Sequence, residues 1–290
     1  MAAKDGDGWA QCGRGHQHWG IHGATGLLAV HHASDGGPYV LMQKRSWWSH
    51  HGGTWGLPGG AMDSHEDAIA GALREAWEEA ALTRDLLQVR GVFIDDHGGW
   101  TFQTVIAEAG TRFKASPANG ESSAMLWVAV EEVAAKKLHP GFAETWPLIR
   151  EVLHPLMIIL DAANIIGARA EHGWWRDRAG ATARLIEEIG RLVPYGLRLP
   201  SPTPLAQTFP QVVIVVEGAA RPVADAPAPP GITVTAASGS GDDAIVEAVR
   251  QARPHERVLV VTADRALRDR VTVLGAEVTG PRWLIDQLEA

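Results

Sequence analysis

The sequence predicts two domains of different fold class, a mixed α+β domain followed by an α/β domain with a parallel sheet. The 290 residues exceed the length of one typical domain. In the first half, short β-prone runs are joined by turns rich in Gly, Asp and His, which favours a mixed sheet with helices. After His154-Pro155, buried apolar strands alternate with helix-length segments, which is typical of a parallel, doubly wound sheet. We therefore expect domains at residues 23–154 and 156–290.

Residues 1–22 are rich in Gly and His and lack periodicity, so we expect a flexible arm. This segment contains Cys12, His16, His18 and His22, and a metal cluster is one interpretation of them. The spacing CGRGHQHWGIH fits no zinc pattern with paired ligands. A solvated tail is therefore the favoured interpretation.

The composition places the chain among globular proteins. Hydrophobic residues make up 46% and charged residues 21%. The net charge of −8 argues against a protein that coats polyanions nonspecifically. No apolar run is long enough to span a bilayer, and the first twenty residues lack the apolar segment of a secretory signal. With one cysteine, no internal disulfide is possible, so we expect a cytoplasmic protein without a membrane partner and leave its oligomeric state open.

The first domain is expected to contain five main strands and two helices. The helix-length segments carry apolar residues at helical spacing, and the strand segments are β-prone runs bounded by turn residues. The expected strands are 26–30, 39–42, 87–94, 101–107 and 124–130, and the expected helices are 64–80 and 142–153.

The second domain is expected to alternate strands with helices, and two Pro-rich stretches at 194–210 and 218–231 are expected to be loops. The expected strands are 157–160, 212–216, 232–235, 258–261 and 277–279, and the expected helices are 181–192, 242–253, 265–274 and 283–288.

Residues 58–82, PGGAMDSHEDAIAGALREAWEEAAL, crowd like charges onto one helix. Glu75, Glu78 and Glu79 lie at i, i+3 and i+4, where like charges destabilise a helix. Arg74 offsets part of this repulsion through its i,i+4 pairing with Glu78. A hard divalent cation would offset the rest, because Mg²⁺ prefers carboxylate oxygens and shares them with substrate phosphates.

The remaining residues of this stretch predict how the helix is placed. Apolar residues at i, i+4, i+7 and i+11 predict its buried stripe, with the three glutamates on another face; these residues are Ile69, Leu73, Ala76 and Ala80. Ahead of the helix, Gly59 and Gly60 leave room for a tight backbone turn close to a ligand. Glu66 adds a fourth carboxylate near its start.

The stretch resembles the Nudix box, G-x5-E-x7-R-E-U-x-E-E-x-G-U, where U is apolar. The matching positions are Gly60, Glu66, Arg74, Glu75, Ala76, Glu78, Glu79 and Leu82. Ala81 departs from the pattern, since the family has Gly there and the turn needs a positive φ. The resemblance extends from Gly23 to about Leu153 and includes the upstream GGTWGLPGG.

This resemblance implies a Nudix fold and hydrolysis of a nucleoside diphosphate linked to another moiety. Glu75, Glu78 and Glu79 would then hold Mg²⁺ or Mn²⁺, which clamp the diphosphate and acidify the attacking water. Glu78 or Glu79 is alternatively the base. Arg74 would orient the carboxylates, and Glu66 would be a structural member of the box.

Outside the helix, the resemblance suggests three further residues. Glu121 precedes an expected strand, where some members place a catalytic base, although a surface-loop glutamate is an equal alternative. Arg45, at the end of the second strand, would meet a phosphate, and Gly60 would line the substrate. The ADP-ribose subgroup carries a Pro about sixteen residues beyond the box. Here that region reads DDHGGW, residues 95–100, so nucleoside triphosphates, oxidised ones included, are the favoured substrates.

A second acidic constellation follows the expected strands of the second domain. Asp161 and Asn164 come directly after the first strand, Asp264 ends a later one, and Asp242-Asp243 opens a helix. Ligands of open α/β sheets bind at the carboxyl ends of strands, so these acids are expected to converge. Each of them singly is also explained as a helix cap or turn residue.

Together these residues resemble the NYN group of PIN-like ribonucleases, which have Asp-x-x-Asn after the first strand, an acidic pair opening a later helix, and T-[SA]-D-R-x-L-R at a strand end. The resemblance implies metal-dependent phosphodiester hydrolysis, with Mg²⁺ or Mn²⁺ as the ion. Its carboxylate ligands would be Asp161, Asp242, Asp243 and Asp264. Asn164 would support Asp161 and contribute to substrate binding, and Glu217 is a weaker candidate.

The sequence thus predicts a bifunctional, metal-dependent phosphohydrolase acting on nucleotides and, through its second domain, on single-stranded RNA. A surface formed by Trp174, Trp175, Arg176 and Arg178 would contact RNA by stacking and phosphate pairing, with a packed loop as the alternative. Two other hypotheses stay open. One is a nucleotide-sensing, RNA-binding regulator, and the other is an RNA-processing nuclease with an accessory first domain.

Overall fold

The computed structural model describes residues 4–34, 37–169 and 174–290. The chain forms two compact units. The first comprises Met1–Leu153 with Thr203–Ala206, and the second His154–Pro202 with Gln207–Ala290. Within the described ranges, no helix has both the length and the apolar character needed to cross a membrane.

The first unit is built on a mixed sheet. Its strands are β1 (Trp9–Gln11), β2 (Gln17–Trp19), β3 (Ala24–His32), β4 (Pro38–Arg45), β5 (Trp55–Gly56), β6 (Gly59–Ala61), β7 (Leu87–Asp96), β8 (Thr101–Ala109) and β9 (Ser122–Ala129). Its helices are α1 (Ala68–Ala80), α2 (Val130–Val133) and α3 (Pro140–Ile149). In the main sheet β7, β8, β3, β4 and β5 are neighbours in that order, while β6 pairs with β3 and β9 with β4. Only the β3–β8 pair among these is parallel, so the expected mixed sheet is confirmed.

The described part of the N-terminal segment is an ordered hairpin and differs from the expected flexible arm. Strands β1 and β2 pair antiparallel with Trp9 opposite Trp19. The hairpin is fixed to the domain because the Trp100 indole donates to the Gly20 carbonyl oxygen at 2.9 Å and stacks on the His18 ring at 4.0 Å. Aromatic contacts therefore order this segment, although its composition indicated a flexible arm.

Helix α1 begins later than expected. Asp67 is its N-cap and accepts a hydrogen bond from the Ala70 amide at 2.8 Å, so Glu66 lies ahead of the helix. The expected buried stripe is also wrong in part, because Ile69 and Leu73 are only half-buried. The buried residues of α1 are Ala68, Gly71, Ala72, Ala76, Glu79 and Ala80. Small residues let α1 lie close to β3. The helix face that they form is the buried one, and Glu79 lies on that face.

The second unit is built on a parallel sheet. Its helices are α4 (Ala162–Arg169), α5 (Arg178–Leu192), α6 (Gly241–Gln251), α7 (Arg265–Thr272) and α8 (Arg282–Leu288). The strands after Leu153 are β10 (Leu156–Asp161), β11 (Leu205–Thr208), β12 (Gln211–Val216), β13 (Ile232–Ala236), β14 (Arg257–Val261) and β15 (Glu277–Thr279). The sheet order is β13-β12-β10-β14-β15, and every pair is parallel, as expected. The Pro-rich stretches also contain structure, namely β11 and a 3-10 helix at Gly218–Asp225.

Apolar side chains cover both faces of this sheet, which explains the continuous hydrophobic run of β10. Ile158 and Leu160 belong to the core on one face, while Ile159 belongs to the core on the other. From β10 the chain continues to β12 and β13 on one side of the sheet, and later to β14 and β15 on the other side. The carboxyl ends of β10 and β14 therefore form a topological switch point. Such a point is the usual ligand site of an open α/β sheet.

Candidate functional site

The inner carboxylates of α1 lie beneath strand β6. Glu79 is only 2% exposed, and its Oε2 accepts a hydrogen bond from the Gly59 amide at 2.8 Å. A Cβ added to Gly60 would lie 2.6 Å from Glu75 Oε1. Gly60 therefore permits the close approach of Glu75, while Gly59 permits close pairing with the β3 backbone. Both glycines lie in an extended strand and not in the expected tight turn.

Arg74 holds the outer face of this cluster. Its Nε and Nη2 donate to the two oxygens of Glu66 at 2.7 and 2.9 Å, and its Nη1 donates to Glu75 Oε1 at 2.6 Å. Its Nη2 also donates to the Ala61 carbonyl oxygen at 3.0 Å. Hydrogen bonding to Arg74 lowers the pKa of Glu66, and the same bond raises the pKa of Arg74. This bidentate pair fixes the relative positions of Arg74 and Glu66, and the orienting role of Arg74 stays a prediction.

Glu78 lies on the more open side of the helix. Its Oε2 pairs with Lys4 Nζ at 3.0 Å, and its Oε1 is 3.9 Å from Arg74 Nη1. No sequence pattern indicates Lys4, because it is 74 residues away in a segment expected to be flexible. No spacing signal links the two residues, so only the folded chain reveals the contact.

Burial makes the inner carboxylates hold protons more tightly. Desolvation raises the pKa of Glu79 to about 8, and the nearby charges of Glu75 and Glu121 add to the effect. Hydrogen bonds from the Gly59 amide and the Gln43 side chain oppose it. Burial also raises the pKa of Glu75, although Arg74 opposes that shift. Gln43, which no sequence pattern indicates, is a buried polar residue on β4.

This donor set fits a hard divalent cation. It offers carboxylate oxygens, and it holds buried like charges that a cation would stabilise. The three box glutamates do not form a closed ligand group, because Arg74 pairs with Glu75 and Lys4 pairs with Glu78. Within the described residues, several groups of three or more potential metal ligands have their ligand atoms within 4.8 Å of one another. None of these groups contains Glu75, Glu78 or Glu79.

The remaining candidates of the first unit lie around this cluster. Glu121 is exposed, directly precedes β9, and contributes negative charge to both Glu75 and Glu79. Arg45, at the end of β4, donates from Nε to the His50 carbonyl oxygen at 2.9 Å. Arg45 is thus fixed to the following loop, and its contact with a phosphate stays a prediction.

Ala81 adopts the left-handed conformation that the family assigns to Gly. Its φ is 53° and its ψ is 33°, and its amide donates to the Trp77 carbonyl oxygen at 3.0 Å. The turn after α1 is therefore kept with Ala, at a cost of about 1 kcal/mol.

In the second unit, Asp161 ends β10 and is fixed by neutral donors. Its Oδ2 accepts from the Thr262 hydroxyl at 2.9 Å, and its Oδ1 accepts from the Asn164 amide at 3.1 Å. The Asn164 side chain accepts in turn from the Ala263 amide at 2.8 Å. Asn164 therefore connects the ends of β10 and β14, and its functional support of Asp161 stays a prediction.

Four acidic residues from separate chain segments influence one another at this edge of the sheet. Burial raises the pKa of Asp161, and the charges of Asp242 and Glu217 raise it further. Burial raises the pKa of Asp242, with Asp264 and Glu217 adding to it. Asp264 also caps α7 by accepting from the Leu267 amide at 2.8 Å. The charges of Asp161, Asp242 and Asp264 thus influence one another, and their convergence into one metal site stays a prediction.

Asp243 and Glu217 differ from what the sequence predicted for them as candidate metal ligands. Asp243 turns outward, with a side chain 71% exposed and paired with Arg270, because the first turn of α6 directs adjacent side chains to different faces. Glu217, the weaker candidate, faces the cluster, and its Oε2 accepts from the Gly241 amide at 2.7 Å.

The proposed RNA surface is described only in part. Trp175, Arg176 and Arg178 are exposed, whereas the side chain of Trp174 lies outside the described residues.

Comparisons with known proteins concern the first half of the chain. The NUDIX domain model matches residues 22–151. The chain is 48% identical over 152 residues to "Putative 8-oxo-dGTP diphosphatase 3" of Mycobacterium tuberculosis, covering 50% of this chain and 70% of that protein. It is 40% identical to a "Nucleoside triphosphate pyrophosphatase/Nudix hydrolase fusion protein" of Bifidobacterium longum, over 50% of this chain and 31% of that one.

A solved structure is also similar to the first half. The Nudix hydrolase RenU of M. smegmatis is 45% identical, with a TM-score of 0.48, 51% of this chain covered and 94% of that one. The box geometry, the mixed sheet and the match to the curated relative lead to one conclusion: the chain belongs to the Nudix family, and its first half is a Nudix hydrolase domain.

Proposed function

We propose that the Nudix domain hydrolyses nucleoside triphosphates, oxidised ones included, to a nucleoside monophosphate and pyrophosphate with Mg²⁺ or Mn²⁺. The observation that carries this proposal is the buried Glu79, held against the Gly59 amide and beside Glu75. The name of the mycobacterial relative supports an oxidised purine triphosphate as substrate. The single cysteine favours a reducing, cytoplasmic setting.

The residues of the site have distinct roles in this proposal. Glu75, Glu78 and Glu79 would hold the ion, which supplies charge stabilisation of the diphosphate and a more acidic water. Arg74 keeps Glu75 in place through the hydrogen bond between them. Glu78 or Glu79 is alternatively the general base; burial raises the pKa of Glu79 to about 8, and a bound cation would lower it again and keep the carboxylate ionised. Glu121 is the alternative base.

The test is a panel of nucleoside triphosphates, their oxidised forms and diphosphate conjugates, incubated with the full chain and Mg²⁺ or Mn²⁺. We expect release of monophosphate and pyrophosphate from a triphosphate, and loss of that release in Glu78→Gln. A panel that stays intact with both ions would leave the regulator hypothesis, in which the domain binds nucleotides without turnover.

We propose a second activity for the C-terminal unit, metal-dependent hydrolysis of single-stranded RNA by a NYN/PIN-like site. The approach of Asp161, Glu217, Asp242 and Asp264 at the switch point favours it. In this proposal the acidic residues hold Mg²⁺ or Mn²⁺, Asn164 supports Asp161, and the exposed Trp175, Arg176 and Arg178 contact the RNA.

Cleavage of single-stranded RNA with Mn²⁺ tests the second activity. We expect Asp161→Asn to lose cleavage, while Asp286→Asn, an exposed acid on α8, retains it. Equal cleavage by wild type and Asp161→Asn would assign the activity to another source. RNA cleavage without nucleotide hydrolysis would instead favour a nuclease in which the Nudix domain is accessory.

A further inference from the structure

The N-terminal hairpin brings together four residues that bind transition metals. One ligand atom from each of Cys12, His16, His18 and His97 lies within 4.8 Å of the others. The first three come from the hairpin, and His97 comes from the turn between β7 and β8. The sequence pattern favoured a solvated tail, because the fourth ligand is far away in the chain and cannot be found from local spacing.

Two of these side chains carry buried nitrogen atoms without a partner. His18 Nε2 and His97 Nδ1 are buried, and neither makes a hydrogen bond. Such orphaned polar atoms are costly and call for an explanation. Their rings are also held in place, since His18 stacks on Trp100 at 4.0 Å and the centroids of the two histidines are 4.7 Å apart.

The outer nitrogen of His97 has the partner that a metal-bound histidine normally has. His97 Nε2 lies 2.9 Å from Asp95 Oδ2. A carboxylate that accepts from one ring nitrogen fixes the tautomer in which the other nitrogen carries a free lone pair. The pair therefore directs the His97 Nδ1 lone pair toward the ligand group.

We propose that Cys12, His16, His18 and His97 form a tetrahedral zinc site that fastens the N-terminal hairpin to the β7–β8 turn. A thiolate with three imidazoles suits Zn²⁺ and excludes Mg²⁺, which requires oxygen ligands. Zinc bonds of about 2.0–2.3 Å place tetrahedral ligand atoms roughly 3.3–3.8 Å apart, which this group can reach with small side-chain movements. Four protein ligands leave no open position, so the site is structural. Binding releases the Cys12 thiol proton to solvent.

Metal content and a cobalt spectrum of the purified full chain test the site. We expect one tightly bound Zn²⁺ per chain. Co²⁺ exchanged into the site should give thiolate-to-cobalt charge transfer and intense tetrahedral bands, which an oxygen-only site for Mg²⁺ or Mn²⁺ cannot give. Cys12→Ser should abolish the charge-transfer absorption.

The variants separate metal binding from folding. His16 is exposed, so His16→Gln should stay folded, judged by circular dichroism, while it weakens zinc binding. Asp95→Asn should weaken zinc binding about 10–100-fold. His22→Gln is the matched control, because His22 lies in the same segment outside the ligand group, and it should keep full occupancy. A wild-type chain that takes up no Zn²⁺ or Co²⁺ with thiolate ligation, or a His16→Gln variant with unchanged affinity, would overturn the proposal.

Discussion

The acidic clusters of the two units are stabilised by different kinds of partner. In the Nudix domain, positively charged side chains pair with the carboxylates. Arg74 pairs with Glu66 and Glu75, and Lys4 pairs with Glu78. At the parallel sheet, Asp161 is held by a hydroxyl and a backbone amide. Side chains of the chain itself therefore balance the charges of Glu66, Glu75 and Glu78, whereas Asp161 has neutral hydrogen-bond donors.

The clusters also differ in how the chain assembles them. Glu75, Glu78 and Glu79 come from one helix, so their spacing is visible in the sequence. Asp161, Glu217, Asp242 and Asp264 come from four segments, and their charges influence one another because parallel strands end at one edge. A site built on one helix can thus be found by motif, and a site built on a sheet requires the topology.

The largest expected effect is on catalysis, and it tests whether the two clusters work independently. Glu79→Gln keeps the side-chain shape but removes the charge and the proton acceptor. We expect nucleoside triphosphate hydrolysis to fall about 10²–10⁴-fold, with RNA cleavage unchanged. Initial rates of both reactions provide the measurement, and Glu151→Gln, an exposed glutamate, is the control. A parallel loss of both activities would contradict two separate sites.

The next effect concerns pH and stability. The folded-state pKa of Glu79 is about 8, above the ordinary value of 4.5. Between these values the folded chain retains a proton that the unfolded chain has released, so the free energy of unfolding falls as pH rises. In chelator-containing buffer we expect a loss on the order of 5 kcal/mol across this window.

Urea denaturation at several pH values measures this loss. Glu79→Gln should flatten the pH dependence, while Glu151→Gln should keep it. The same slope in Glu79→Gln and wild type would show that Glu79 is not the titrating group.

A smaller effect tests the bidentate role of Arg74. Arg74→Lys keeps the charge but loses the forked contact with Glu66, so we expect the Nudix domain to be destabilised by about 2 kcal/mol. The control is Arg191→Lys, whose pair with Glu187 is 70% and 66% exposed and should change stability by less than about 0.5 kcal/mol. Equal midpoints of urea unfolding for the two variants would reject the orienting role.

The smallest effect comes from the end of α1. Ala81→Gly relieves the left-handed strain at φ 53° and should raise the free energy of unfolding by about 1 kcal/mol. Ala80→Gly, one residue earlier in the helix, should lower it by about the same amount. Thermal melting of the pair gives the sign, and a destabilised Ala81→Gly would show that the strain is absent.

The sequence was sufficient for features that depend on local spacing. It predicted the box residues, the mixed sheet and the parallel sheet, because strand and helix periodicities report local structure. It failed where small residues decide the packing, since the alanines of α1 turn Glu79 inward. It also failed where distant residues meet, as Lys4 and Glu78 do and as His97 and Cys12 do.

Titration with Mn²⁺, followed by the electron paramagnetic resonance signal of the free ion, tests most directly whether each cluster is a cation site. We predict two classes of bound Mn²⁺ in wild type. Glu79→Gln should lose one class, Asp161→Asn the other, and the double variant both. Unchanged Mn²⁺ binding in the double variant would contradict the account, because neither cluster would then hold the ion.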